Sequence, residues 1–353
     1  MSKTDYFIHT LRIINDNTNQ IQLNSMKMQL ISNNQVVWQR IWNQKYLNIV
    51  SKQFSNGFSK RFMDPDINMI IIGRAQFWNQ NKLIAGINLN HLDEIGLKIP
   101  KIEYNGPSIP DYLEIEVCIT NLHENKTQSQ EKVIKKLKIH ANGSKNQYQL
   151  PLRGSWQYNR SYDWDFGHRE SYSQEYAVDF QQYNPNFKIQ EAKFQENTTF
   201  PQYNAPVYAA MSGKVLIVGD NFPENPTAGD ILVKDLKKRA DLISKYGFQR
   251  AVMGNHIMIL HENNEATLYC HLIPHKMHVQ EGDQVKVGQI IGYLGNSGFS
   301  DFPHLHFQVL ENVDGNPFKG RGIPCQFNNI LDDFGNPIKY LQINNQCIST
   351  FEK

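Results

Sequence analysis

Alternation with a period of two recurs along this 353-residue chain and constrains its fold more than any other feature. In "DYLEIEVCIT" the residues Leu113, Ile115, Val117 and Ile119 share one face, and "QIQLNSMKMQLI" alternates in the same way. Successive strand residues point to opposite sides, so such runs, separated by Asn, Gly and Pro clusters, predict antiparallel sheets. A second series follows in "APVYAAMSGKVLIVGD", "NHIMILHE", "ATLYCHL", "QIIGYLG" and "HLHFQVLEN". One segment departs from the pattern. "GDILVKDLKKRADLISKYG" sets Leu232, Leu236, Ala240 and Ile243 at three- and four-residue steps and stops at Gly247, which predicts an amphipathic helix. The expected class is mainly β. An N-terminal antiparallel β-sandwich covers residues 1–153, a β-rich domain with one helical insertion covers 154–330, and a C-terminal extension covers 331–353.

A formal charge of +2 gives no reason to expect nucleic acid or a membrane surface as partner. The densest apolar run, "INMIIIG", is strand-sized and well short of the ~18 residues of a spanning helix, so no integral membrane segment is expected. The N-terminus "MSKTDYFIHTLRIIND" lacks the basic start, apolar stretch and small-residue cleavage site of an export signal. Cys118, Cys270, Cys325 and Cys347 form no CxxC pair; free thiols are expected, with a Cys325–Cys347 bridge left open. His9, His91, His123 and His140 are scattered and read as surface or core residues.

Strand geometry sorts the histidines of the second half. In "ATLYCHL", alternation puts Thr267, Tyr269 and His271 on one side and Leu268, Cys270 and Leu272 on the other. In "HLHFQVL", His304 and His306 share a face, with Leu305, Phe307 and Val309 opposite. Same-face neighbours stand ~6.5–7 Å apart along a strand, a spacing that suits two different tasks around one ion. A catalytic zinc takes three protein donors and keeps a fourth position open. His306 can supply one donor, and "GHRESYSQEYAVDF" offers His168 and Asp179 for the others. His271 and His304 then remain as neighbouring bases or oxyanion donors.

These segments, taken in order, resemble the lysostaphin-type (LytM-like) zinc metallopeptidases that cut peptidoglycan. The shared parts are a histidine then an aspartate, "GNxIxI", "YxHL", "GDxVxxGQxIGxxGNSG" and "PHLHF", spread over roughly residues 160 to 327. The resemblance implies that His168, Asp179 and His306 bind Zn2+ and that His271 and His304 form the catalytic pair, with the base between them unassigned. It implies a peptidoglycan peptide as substrate and a periplasmic, cell-envelope or secreted setting. It also leaves an alternative, a non-catalytic relative that regulates other wall hydrolases; such relatives typically lose zinc ligands, and all the candidates are present here. A carrier-domain reading of "VQEGDQVKVGQIIGYLG" fails because no lysine is presented in the required phrase.

Several details depart from the family pattern. Ten residues, 169–178, separate His168 from Asp179, where the shortest family members have three, and this loop is expected at the groove edge. Phe302 stands where the family has a small residue, and could either line the cleft or cap the core. Cys270 is expected to face away from His271. Tyr162, His256 and Tyr269 are candidate groove or transition-state residues, while His261, His275 and His278 are expected in exposed loops.

Overall fold

The structure, a computed structural model, describes residues 4–6, 10–62, 83–99, 102–104, 106, 109–122, 128–139, 143–159, 168, 173–182, 194–311, 315–341 and 347–351. Contacts divide the chain into two units, Met1–Ala141 and Asn142–Lys353.

The N-terminal unit contains β1 (Thr10–Ile14), β2 (Gln20–Ser32), β3 (Gln35–Asn43), α1 (Gln44–Phe62), β4 (Glu94–Lys98), β5 (Tyr112–Leu122) and β6 (Gln128–Lys138). Its main sheet runs β3-β2-β5-β6, all antiparallel. The alternating set Leu113, Ile115, Val117 and Ile119 is buried, together with Leu23, Met26, Met28 and Leu30 of β2. A second layer, made by the β1–β4 ladder and α1, covers that face with Ile95, Leu97, Leu47 and Val50. Alternation does not announce α1. Its buried face is narrow, and its start is marked by Asn43, whose side-chain oxygen accepts from the Tyr46 N–H at 2.9 Å.

The second unit is built on β7 (Ser155–Asn159), β8 (Val178–Gln181), β9 (Gly213–Gly219), α2 (Leu236–Tyr246), α3 (Phe248–Met253), β10 (Asn255–Leu260), β11 (Glu265–Leu272), β12 (Leu305–Glu311), β13 (Arg321–Ile323) and β14 (Cys347–Thr350). The central sheet runs β9-β10-β11-β12-β8-β7-β14, with β13 also on β12. Leu305, Phe307 and Val309 pack into the larger core with Tyr269, Val178, Phe180 and Tyr158, as the alternation of β12 predicts. Burying a side chain such as Phe307 contributes roughly 1.5–3 kcal/mol. The opposite face carries a smaller apolar cluster of Leu268, Cys270, Leu310, Met253 and Met258.

Two expected boundaries move. The division falls at 141/142 and not at 153, because Ser144, Lys145 and Tyr148 all donate to the buried Glu265 carboxylate of β11. Residues 331–353 do not form a separate extension either, since β14 pairs with β7 inside the central sheet. The helical insertion is present, but α2 begins later than expected, capped by Asp235, and stops at Gly247, where α3 follows directly. Its inward side is Leu242, Ile243 and Tyr246, whereas Ala240 is exposed. All four cysteines are free, so the open Cys325–Cys347 pairing is not formed. No helix among the described residues is long and apolar enough to cross a membrane.

Candidate metal centre

Register across three strands assembles the site. Asp179 of β8 stands directly opposite His306 of β12, and His306 stands opposite Cys270 of β11. Residues directly opposite share a face, so this row lies on the side away from the larger core. The nearest Asp179 carboxylate oxygen is 3.1 Å from His306 Nδ1, 3.6 Å from His168 Nε2 and 3.6 Å from His304 Nε2. One ligand atom from each of His168, Asp179 and His306 can be chosen so that all lie within 4.8 Å of one another. Two imidazoles and one carboxylate at that spacing fit a tetrahedral ion with donor bonds of ~2.0–2.2 Å and a position left open.

His271 completes the cluster, its ring centroid 4.7 Å from that of His304 and 5.9 Å from that of His306. It arrives there by breaking alternation. Between β10 and β11 the register slips, Asn255 pairing with Leu272 but Ile257 with Tyr269, and His271 adopts φ 65°. This bulge turns His271 onto the face of Cys270 and His306. The expected shared face of Tyr269 and His271 is therefore corrected, and so is the expected separation of Cys270 from His271. Cys270 lies in the floor of the site, where burial raises its thiol pKa and the Asp179 charge raises it further.

Backbone carbonyls orient the two flanking rings. His271 Nδ1 lies 2.7 Å from the Ser297 carbonyl oxygen, and His304 Nδ1 lies 2.8 Å from that of Phe302. A carbonyl only accepts, so each Nδ1 carries a proton, which in the neutral ring leaves the lone pair on Nε2. The loop that supplies these carbonyls is itself tied down. Ser297 Oγ accepts from the Asn255 N–H and donates to the Leu272 carbonyl. Asn225 donates to the carbonyls of Gly298 and Ser300. Gly254 sits at φ 62° under this loop, and a Cβ there would lie 2.4 Å from the Ser297 carbonyl oxygen.

Burial sets the charge state. It lowers the pKa of His168 to about 4, against the pull of Asp179, and holds His271 well below the ordinary imidazole range. Both rings are neutral at neutral pH and free to bind a metal or take a proton. Burial alone would raise the Asp179 carboxyl, but the facing imidazoles of His168, His304 and His306 outweigh it and hold the group ionised.

The remaining candidates scatter. Tyr162 lies outside the described residues. Tyr269 is fully buried, its hydroxyl accepting from the Ala210 N–H, because it precedes the bulge and so faces the core. His256 is buried against Gly219 and Gly254, with its Nδ1 donating to the Gly254 carbonyl. Burial first, and then Arg250, lowers its pKa to about 4. Phe302 stacks on Phe200, ring centroids 6.4 Å apart, and stands 5.7 Å from the His304 ring, so it walls the site from the side. His261, expected in a loop, is buried between the Ser212 carbonyl and Thr267. Of the 169–178 loop, expected at the groove edge, residues 169–172 lie outside the described residues; Ser173 is 1% exposed and its carbonyl accepts from Gln308. Gln308 was legible in principle, as a polar residue two places after His306 on the same strand face. Ser297 and Ser300 carried no such signal.

The chain matches known proteins over this region. The model of peptidase family M23 matches residues 198–319, which include His271, His304 and His306. This part of the chain is similar to the lysostaphin-type M23 peptidases. The glycyl-glycine endopeptidase ALE-1 of Staphylococcus capitis is 54% identical over 44 residues, 12% of this chain and 12% of that protein. Lysostaphin of Staphylococcus simulans is 47% identical over 60 residues, 17% of this chain and 12% of that protein. The peptidoglycan DD-endopeptidase ShyC of Vibrio cholerae is 44% identical over 59 residues, 17% of this chain and 13% of that protein. The chain thus spans a small part of the length of each of these relatives. Among solved structures, the lysostaphin catalytic domain from Staphylococcus simulans matches at 25% identity and a TM-score of 0.25, over 42% of this chain and 74% of that one. His168 and Asp179 precede the M23 match, so their place beside His306 rests on the geometry of β8 and β12.

Proposed function

We propose that the second unit is a zinc-dependent endopeptidase that hydrolyses amide bonds in the peptide part of peptidoglycan. The observation that carries this reading is one cluster holding two kinds of imidazole. His168 and His306 face the Asp179 carboxylate as a donor set, while His271 and His304 stand beside it, each anchored through Nδ1–H to a backbone carbonyl. The substrate class is supported by the relatives, named as a glycyl-glycine endopeptidase and a peptidoglycan DD-endopeptidase.

In this reading His168, Asp179 and His306 hold the ion. Zinc, when bound, supplies a Lewis acid for the scissile carbonyl and lowers the pKa of water. The chain's own residues handle the proton. His271 and His304, each anchored through Nδ1–H, accept it at Nε2 from the attacking water and return it to the leaving amine. While it carries that proton at Nε2, the ring stabilises the oxyanion by donating to it. Asp179, kept ionised, balances the positive charge that builds up in this buried place.

Four variants test the assignment by metal content and hydrolysis of purified cell walls. His168→Ala and His306→Ala should lose zinc. His271→Ala and His304→Ala should keep it and lose about 10²–10⁴-fold in turnover. Full zinc occupancy in His306→Ala would contradict the donor set, and undiminished turnover in both of the other variants would contradict the catalytic pair.

A further inference from the structure

Beside His304 stands a braced aromatic wall. The Phe302 ring is partly buried, with its centroid 5.7 Å from that of His304 and the two planes 56° apart. Whatever it leaves open therefore borders the place where His304 works. Three restraints keep the ring there. Phe200, 8% exposed, lies nearly parallel to it at 13°, and Ala228 and Tyr203 join the same small apolar cluster. Pro303 follows directly, and the residue before a proline is biased to extended backbone. The buried Gln202 amide donates to the Pro303 carbonyl at 2.8 Å, which ties the segment around Phe200 to the one that carries Phe302.

That bracing reaches further. Tyr203 donates through its hydroxyl to one Glu224 oxygen, and the other accepts from the Asn296 N–H. The wall and the 295–300 loop are thus fastened to one another through Glu224. A ring held on this many sides does not swing aside for a ligand.

Backbone and side chain of Phe302 do separate work. Its carbonyl accepts from His304 Nδ1 and from Ser300 Oγ, and any residue at this position supplies that carbonyl. The phenyl ring is not needed for it. Phe200 lies along the ring and His304 stands against it, so little flat surface is left on which a ligand could stack. What remains is a fixed boundary, and dense packing makes such a boundary costly to push back.

We propose that Phe302 is a specificity-determining residue: its ring, braced by Phe200, closes the His304 side of the cleft to all but the smallest side chains. For an amide hydrolase, the reading on which this rests, the substrate residue lying against His304 is then glycine or alanine.

The test gives zinc-loaded full-length protein pentaglycine and its analogues with Ala or Leu at the central position. Mass spectrometry measures cleavage of each bond beside that position. On at least one side, wild type should cut next to Leu about 50-fold more slowly than next to Gly, with Ala close to Gly. Phe302→Ala should shrink that ratio about tenfold, and Phe302→Leu should fall between. The ratio is taken within each variant, so a general loss of turnover from a disturbed His304 cancels. An unchanged ratio in Phe302→Ala, or wild-type cleavage next to Leu as fast as next to Gly, would overturn the wall.

Binding is read separately, from the His304 ring signals in spectra of the metal-free full chain. The probes are tetraglycine and tetraleucine, each ended in lysine for solubility. Tetraglycine should shift the signals in wild type and in Phe302→Ala, and tetraleucine only in the variant. Equal responses of wild type to both probes, or none to either, would overturn the proposal. The expected binding pattern with no cleavage of any peptide would instead count against the hydrolase reading and leave the wall in place.

Discussion

Strands β12 and β11 bring histidines to one cluster by opposite means. β12 does it with regular pairing: His306 keeps register with both Asp179 and Cys270, and alternation alone sends Leu305, Phe307 and Val309 into the core. β11 does it with a bulge, a left-handed residue and a carbonyl borrowed from the 295–300 loop. The regular strand holds the proposed metal donor, and the irregular one holds a proposed proton carrier. A metal donor is kept in place by its neighbours in the ladder. A proton carrier must approach the same point from a strand whose regular positions are taken by core residues, and a bulge is the local way to re-aim one side chain.

The largest expected effect separates the two devices. Gly254→Ala adds a side chain at φ 62° and drives it into the Ser297 carbonyl that holds His271. Turnover should fall about 100-fold, the scale on which small misplacements act, while zinc affinity stays within about twofold of wild type. A parallel loss of zinc would mean that the bulge and the ladder are not independent.

The next effect is on stability in acid. His256 lies opposite the bulge, and burial lowers its pKa to about 4, below the ~6.5 of an unfolded histidine. Below pH 6.5 the unfolded chain binds the proton more readily, so stability is present at neutral pH and is lost as pH falls. At pH 5 the loss from this residue is roughly 2 kcal/mol. Thermal melts of metal-free wild type and His256→Asn at pH 7 and pH 5 measure it. An equal drop between the two pH values in both proteins would remove His256 as the cause.

The smallest effect falls on the regular side. Ser300 Oγ lies 3.2 Å from His304 Nδ1, which already donates to the Phe302 carbonyl at 2.8 Å. Ser300→Ala should therefore cost turnover only a few-fold, within the ~0.5–1.5 kcal/mol net value of one hydrogen bond. A loss as large as that of Gly254→Ala would show that His304 is held no more simply than His271.

The same contrast explains what could be read from the sequence. The facing pair His304 and His306, the core positions of β12 and the alternating face of β5 follow from a period of two, which is a local property. His168 and Asp179 are offered as donors by one short segment, and the order of motifs in a known family points to the same two residues. The face of His271 and the place of Cys270 were misread because a bulge is a mismatch between two strands, and neither strand shows it alone. Gln308 and Ser173 were missed for a related reason: the contact spans 135 residues of chain. Glu265 moved the domain boundary in the same non-local way, by collecting donors from Ser144, Lys145 and Tyr148. The start of α1, marked by Asn43, was available locally and was outweighed by the alternation around it.

The C-terminal strand ties the far end of the chain to the donor set. β14 pairs with β7, β7 pairs with β8, and β8 carries Asp179. Cutting the protein before Cys347 would strip one hydrogen-bonded edge from β7 and leave the carboxylate on the strand next to an open border. Such borders fray and recruit foreign strands. The limits of a working catalytic fragment are therefore set by sheet closure: it must start ahead of β7 and run through Thr350, even though every histidine in the cluster lies inside a shorter span.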